Sequence, residues 1–345
     1  MGGSGQNTMP TGKGRKDMNA RSTLLTFAAM AMSAAAVTGA AVAQDKRTIA
    51  LVYGIKGDAF YVTMQKGAQA KADELGVELV ADGPSQWNPA IQTPIVDAMI
   101  ARKVDGLIAV PNDPQAMIAV LQRASDMGIP IVTTDQYVGD GDYAAGSVTF
   151  PLSYVASDNF GGGKLACESL IEGMGGKGAL YVLVSTPNVP SDTARRDGCL
   201  AAIEATGGTV ELAGVDYTQS NATIATTQTQ AALQKNPDIG AIFGGNLFSA
   251  QGASAAVKTA NLAGTVKIAS FDAPEQAIDD LRAEVVDIVI AQQPALIGAT
   301  AVQFINDALD GRTADIPPKV ATPFVVITRE NVDTPEAQAA IYKDQ

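Results

Sequence analysis

Two stretches of this chain share one design, and that repeat limits the folds open to it. From Asp105 to Asp135 (DGLIAVPNDPQAMIAVLQRASDMGIPIVTTD) the sequence reads strand, helix, strand. Gly106 to Val110 is a short apolar run, Met117, Leu121 and Ala124 recur at helical spacing, and Ile129 to Thr133 is a second, β-branched run. The pattern returns from Asp238 to Asp272, with strands at Ile239 to Phe243 and Val266 to Ser270. Asn112 precedes Asp135 by 23 residues, and Asn246 precedes Asp272 by 26. Each unit therefore puts an Asn and an Asp just past parallel strands, the ends at which α/β sheets bind ligands. Two such sheets face to face make a cleft lined by amides and carboxylates.

The rest of the chain keeps the same alternation. Thr48 to Gly54 and Val77 to Ala81 read as strands, and Phe60 to Leu75 and the stretch from Trp87 to Ala101 as helices. Tyr154 to Ser157 is a short strand, and Asp158 to Gly173 a helix that opens a second run of the same order. Strands follow at Ala179 to Val184, Thr209 to Gly214 and Val286 to Ile290, with helices at Ser191 to Ala205, Ala222 to Gln234 and Pro294 to Leu309. A Pro-rich connector and a strand from Pro323 to Ile327 close the chain. The expected class is α/β, with two doubly wound parallel-sheet lobes.

Composition removes several functions. The 345 residues contain no histidine, which excludes Ser-His-Asp and Cys-His catalysis and His-ligated metal sites. A net charge of −12 argues against nucleic acid or anionic lipid as partner. No Walker sequence is present, and Gly161-Gly162-Gly163 is not a dinucleotide fingerprint, since no G-x-G-x-x-G follows a strand there. Asp140 and Asp142 in the loop from Gly139 to Pro151 lack the spacing of a calcium loop, so it reads as a surface insertion. No cofactor and no metal are expected. Trp87 reads as structural and Lys164 as solvated.

Residues 1–47 stand apart. Arg21, the apolar run Leu24 to Ala36 and the small residues Ala41-Val42-Ala43 form a secretory signal with cleavage expected after Ala43. A membrane anchor is the alternative, but the run is short and rich in Ala, Gly and Ser. The 17 residues before Met18 add nothing a signal needs and are read as lying upstream of the natural start. An exported chain meets an oxidising compartment, where its two cysteines, Cys167 and Cys199, suggest a disulfide. Two separate buried thiols remain the alternative.

The motifs IALVYGIKGDAFYVTMQKGAQAKADELG, DGLIAVPND, IPIVTTD, ASDNFGGGKLA, ARRDG, IFGGN, IASFDA and IAQQP follow one another over residues 48 to 328. In this order and spacing the chain resembles the periplasmic sugar-binding proteins of ABC transporters, in the ribose- and galactose-binding group. The resemblance implies the type I periplasmic binding protein fold, with two lobes joined by a three-segment hinge crossing near Ala156, Gln292 and Thr322. That gives an N-terminal lobe of residues 48–156 plus 293–322 and a C-terminal lobe of 157–292 plus 323–345.

It also implies the ligand contacts. Phe60 and Tyr61 match the aromatics that stack on a sugar ring, and Asp58 falls where ribose binders have Asn. Asn112, Asp113, Asp135, Arg195, Asn246, Asp272 and Gln292 match polar contacts. Gln136 stands where ribose binders place an Arg, which counts against ribose itself. Sugar hydroxyls both donate and accept, so planar Asp, Asn, Gln and Arg groups satisfy them in pairs while aromatic faces cover C–H surfaces. The function implied is capture of a pentose, hexose or polyol by a monomer that delivers it to a membrane ABC permease, without catalysis. A sensory protein of the same fold, presenting ligand to a membrane receptor, is the alternative.

Overall fold

The computed structural model describes Met1 and residues 46–342. The leader and its cleavage position after Ala43 lie outside the described residues. Arg47, assigned to the leader by sequence, belongs to the fold: its guanidinium pairs with Asp310 at 2.6 Å and its carbonyl accepts from Glu78 N.

The first half alternates strand and helix as far as its fourth strand, and a loop then joins that strand to the fifth. It runs β1 (Thr48–Val52), α1 (Ala59–Leu75), β2 (Glu78–Asp82), α2 (Pro89–Ala101), β3 (Gly106–Ala109), α3 (Ile118–Asp126), β4 (Ile131–Thr134) and β5 (Ser153–Ser157). The second half repeats it as α4 (Asn159–Gly173), β6 (Gly178–Val184), α5 (Pro190–Glu204), β7 (Val210–Tyr217), α6 (Ala222–Lys235), β8 (Ile239–Gly244), α7 (Leu247–Thr259), β9 (Lys267–Phe271), α8 (Glu275–Arg282) and β10 (Ile288–Ala291). Then come α9 (Pro294–Leu309), β11 (Lys319–Thr322), β12 (Val325–Ile327) and α10 (Pro335–Ala340).

Two six-stranded sheets result, ordered β2-β1-β3-β4-β5-β11 and β7-β6-β8-β9-β10-β12. The first is wholly parallel; in the second only β12 runs antiparallel, against β10. The orders are the same, so β3 and β8 are equivalent, as are β4 and β9. Core strands are buried along their length, as both faces of each sheet are covered by helices. The chain passes from one sheet to the other after β5, after β10 and between β11 and β12, and α9 packs back on α1 and the first sheet.

Two elements differ from the sequence reading. β11 is a strand of four residues set between Pro318 and Pro323, too short for an alternation signal, and it exists because β5 offers it an edge. α10 carries a recognisable start, with Thr334 capping Ala337 N and Pro335 at the first position.

Cys167 on α4 and Cys199 on α5 form a disulfide with Cα atoms 5.1 Å apart. The glycines beside them explain how those helices come so close. A Cβ on Gly163 would lie 2.0 Å from Arg195 O, and one on Gly198 would lie 2.1 Å from Phe160 O. The glycine triplet of α4 thus serves helix packing, and the close approach brings Arg195 against Asn159.

Candidate functional site

The carboxyl ends of both sheets face one cavity whose walls enclose about 430 Å3 of empty space, its mouth included. From the first sheet it is lined by Ile55, Asp58, Phe60, Tyr61, Trp87, Asp135 and Gln136; from the second by Ser185, Val189, Ser191, Asp192, Arg195, Ser220, Asn246, Phe248, Asp272 and Gln292.

The turn after β1 supplies the aromatic side. Asp58 caps α1 by accepting from Phe60 N at 2.8 Å, which fixes Phe60 and Tyr61 in the first turn. Their rings meet edge to face at 5.1 Å, and Trp87 lies against Tyr61 at 6.4 Å between ring centres. Sequence reasoning gives Trp87 a structural role; here it forms part of the cavity wall, with a buried Nε1–H that has no protein acceptor.

The repeated aspartates occupy equivalent places. Asp135 follows β4 and Asp272 follows β9, each with its amide donating to a neighbouring strand, to Val155 O and Ile290 O at 3.0 Å. Both adopt left-handed backbone, with φ of 60° and 80°, a conformation that costs a non-glycine residue roughly 1–2 kcal/mol. Strain retained at the same place in both halves marks the two carboxylates as positioned groups. Asp135 accepts from Tyr61 OH at 2.7 Å and Gln136 Nε2 at 3.0 Å. Asp272 accepts from Gln292 Nε2 at 2.7 Å, Tyr342 OH at 3.1 Å and Leu247 N at 3.1 Å.

Helix α5 carries the single cation of the cavity wall. Arg195 donates to Asn159 Oδ1 at 2.8 Å and Gly245 O at 2.9 Å, stacks 3.9 Å above the centre of the Phe271 ring, and lies 3.5 Å from Asp192. Asp192, a turn earlier, accepts from Ser185 N at 2.6 Å and Asn246 Nδ2 at 2.9 Å. Asn246 also caps α7 through Ser249 N. Asp192 carries no signal in the sequence beyond its place in a helix, and only the fold turns it toward the cavity.

Burial dominates the electrostatics. It pushes the Asp58 carboxyl up to about 8, helped by the Asp272 charge. It raises Asp135 to about 6, against the lowering effect of Arg195 and of the Tyr61 and Gln136 hydrogen bonds. Asp192 is also raised by burial, opposed by Arg195, and the Tyr61 phenol is pushed well above its ordinary value by burial and the Asp135 charge.

Nine of the expected contacts therefore meet in one cavity: Asp58, Phe60, Tyr61, Asp135, Gln136, Arg195, Asn246, Asp272 and Gln292. Two do not line it. Asp113 uses its carboxylate to accept from Gln115 N and Ala116 N, the ordinary turn role of an Asp after a strand. Asn112 is buried off the cavity wall; its amide side chain has no protein partner, while its N–H donates to Gln92 Oε1. In the loop from Gly139 to Pro151, Asp140 and Asp142 likewise accept backbone N–H groups. Among the described residues no acidic or thiol cluster is placed to hold a metal ion.

This fold and this cavity define a two-lobed receptor for a small polar ligand. A model of the periplasmic binding protein domain matches residues 49–313. The ribose import binding protein of Haemophilus influenzae is 31% identical over 81% of this chain and 91% of that protein. An ABC transporter solute-binding protein from Agrobacterium vitis, solved with α-D-tagatopyranose bound, superposes with a TM-score of 0.84 at 39% identity, covering 86% of this chain and all (100%) of that one. A second from the same organism, solved with D-fucose, gives 0.80 at 26%, with 86% and 100% covered. The chain belongs to the periplasmic binding protein family, in its sugar-binding ribose and galactose group. The relatives named are import and solute-binding proteins rather than enzymes.

Proposed function

We propose that this chain captures one monosaccharide, in ring form, between its lobes and delivers it to a membrane ABC permease. The observation that carries this reading is the pairing of walls. Aromatic faces from α1 and Trp87 meet carboxyl, amide and guanidinium groups contributed by both sheets. Two cavity-lining groups keep a buried polar atom without a protein partner, the Trp87 Nε1–H donor and the Gln292 Oε1 acceptor. A hydroxyl can satisfy either, and a buried polar group left unpaired costs about 1–3 kcal/mol, so epimers are told apart.

Ribose is disfavoured because Gln136 replaces the cation of ribose binders and spends its amide on Asp135 and Ser191. The likeness to a tagatose-bound protein makes D-tagatose the first sugar to test. In this reading the lobes are residues 48–156 plus 293–322 and 157–292 plus 323–345, the hinge is formed by the three passages between them, and catalysis is absent. Export through a leader cleaved after Ala43 delivers a periplasmic monomer with no nucleic-acid role.

The test is thermal unfolding of residues 44–345 with pentoses, hexoses and polyols. A ligand at 100 times its Kd adds about 2.7 kcal/mol to stability, a shift of a few degrees. A shift confined to one or two epimers supports the reading; a flat response across the panel overturns it.

A further inference from the structure

Four carboxyl groups and one guanidinium line the cavity. Asp58 and Asp135 come from the first sheet, Asp192, Asp272 and Arg195 from the second. Arg195 lies 3.5 Å from Asp192, on its own helix. Asp135 and Asp272 are each held by side-chain donors, Tyr61 and Gln136 for one and Gln292 and Tyr342 for the other. Asp58 has neither a cation nor a side-chain donor. Its one hydrogen bond is the helix-capping contact from Phe60 N. Asp58 lines the same cavity as Asp272 of the second sheet, and a sugar seated there would cover it from water. A carboxylate covered in this way, with no cation bonded to it, is neutralised more readily than it is solvated.

We propose that Asp58 enters the closed, sugar-bound cleft as a neutral carboxylic acid that donates a hydrogen bond to a sugar oxygen, so that capture takes up a proton. The inference rests on the sugar-binding reading and adds the chemical form of one contact. No covalent bond changes. The proton comes from solvent as the lobes close and returns to it when they open. An amide at this position would donate in the same way at any pH, whereas a carboxyl donates only below the value at which it ionises.

The groups facing Asp58 set the sign. Burial and the charges of Asp272 and Asp135 raise it in the closed cavity to about 8, while the Phe60 N–H and Arg195 oppose the rise. Opening the lobes removes Asp272 and admits water, returning the group toward an ordinary aspartate near 3.9. Protons bound in the closed form exceed those in the open form between these limits. Affinity is therefore greatest at low pH and falls by up to about tenfold per pH unit until the closed form ionises. Asp135, raised to about 6, contributes at the acid end of that window and little above pH 7.

Titration calorimetry of the full chain with its sugar, in buffers of different ionisation enthalpy at pH 7.5, counts the protons. Between about half and one proton per sugar is expected for the wild type. Asp58→Asn keeps a helix cap and a donor. It should take up close to none and bind more tightly than wild type at pH 8.5, by up to about 10,000-fold, the factor set by a value of about 8 closed against about 3.9 open. Asp58→Ala, which loses the donor, should bind more weakly than Asp58→Asn at every pH. Sugar binding with no proton uptake by the wild type, or with equal uptake in Asp58→Asn, overturns the inference and leaves the sugar-binding reading standing. No binding by the wild type at any pH overturns that reading instead.

Discussion

Gln136 and Ser191 hold each other across the cleft. The Gln136 amide follows β4 of the first sheet and donates to Ser191 Oγ at 2.6 Å, while Ser191 N, in the first turn of α5, donates back to Gln136 Oε1 at 3.1 Å. The same amide touches Asp135 Oδ2 at 3.0 Å. One side chain thus ties a cavity-lining carboxylate of the first sheet to helix α5 of the second, a contact of protein with protein across the cleft.

Replacing it tests that role. Gln136→Ala removes both cross-cleft hydrogen bonds along with the one to Asp135; the two that cross the cleft contribute about 0.5–1.5 kcal/mol each, and their loss shifts the balance toward the open form. Sugar affinity should fall about 10- to 100-fold, mostly through faster release, as read by stopped-flow fluorescence. An unchanged release rate would show that the ligand alone holds the lobes together.

Trp87 supplies the signal for such work. It is the chain's one tryptophan, and it lies in the cavity wall beside Tyr61. Its emission should change with sugar addition and saturate at one sugar per chain. Trp87→Ala should abolish the signal and weaken binding, seen by calorimetry, by about 1–3 kcal/mol through lost ring contact.

Asp272 should matter for stability as well as for ligand. Asp272→Ala strands the donors of Gln292, Tyr342 and Leu247 and puts a Cβ residue with no polar compensation at φ 80°. A loss of about 2–4 kcal/mol in denaturant unfolding is expected, with no detectable sugar binding. Asp272→Asn, which tolerates left-handed backbone, should lose less stability.

The disulfide closes a loop with a sequence separation of 32 between helices α4 and α5. Loop-closure entropy for such a length corresponds to about 3–4 kcal/mol. Replacing both cysteines with Ala should lower Tm by roughly 6–12 °C, measured by calorimetry in the absence of reductant. Sugar affinity should change little if the glycine-mediated approach of α4 and α5 positions Arg195 without the bond.

The sequence carries the parts of the molecule that repeat. Asp135 and Asp272 are legible because β3–α3–β4 and β8–α7–β9 are copies, and the apolar runs place their strands to within a few residues. What escapes is whatever depends on where a loop or helix face is carried by the fold. Asn112 and Asp113 sit in the motif, but one turn satisfies the Asp113 carboxylate locally and Asn112 is left off the cavity wall. Trp87 precedes α2 in a loop whose path no periodicity reveals, and Asp192 and Ser191 look like ordinary first-turn residues of a helix. Tyr342 is 70 residues from Asp272 in sequence and reaches it only because α10 folds back to the hinge.

Whether both lobes hold one sugar ring at once is decided by a crystal structure of the complex with the sugar found by thermal screening. The ring is expected beside Phe60, Tyr61 and Trp87, with Asp135 and Asp272 each within hydrogen-bond distance of its hydroxyls. A sugar bound to one lobe alone, or in the separate hinge-side cavity lined by Leu296, Val325 and Ala339, would contradict it.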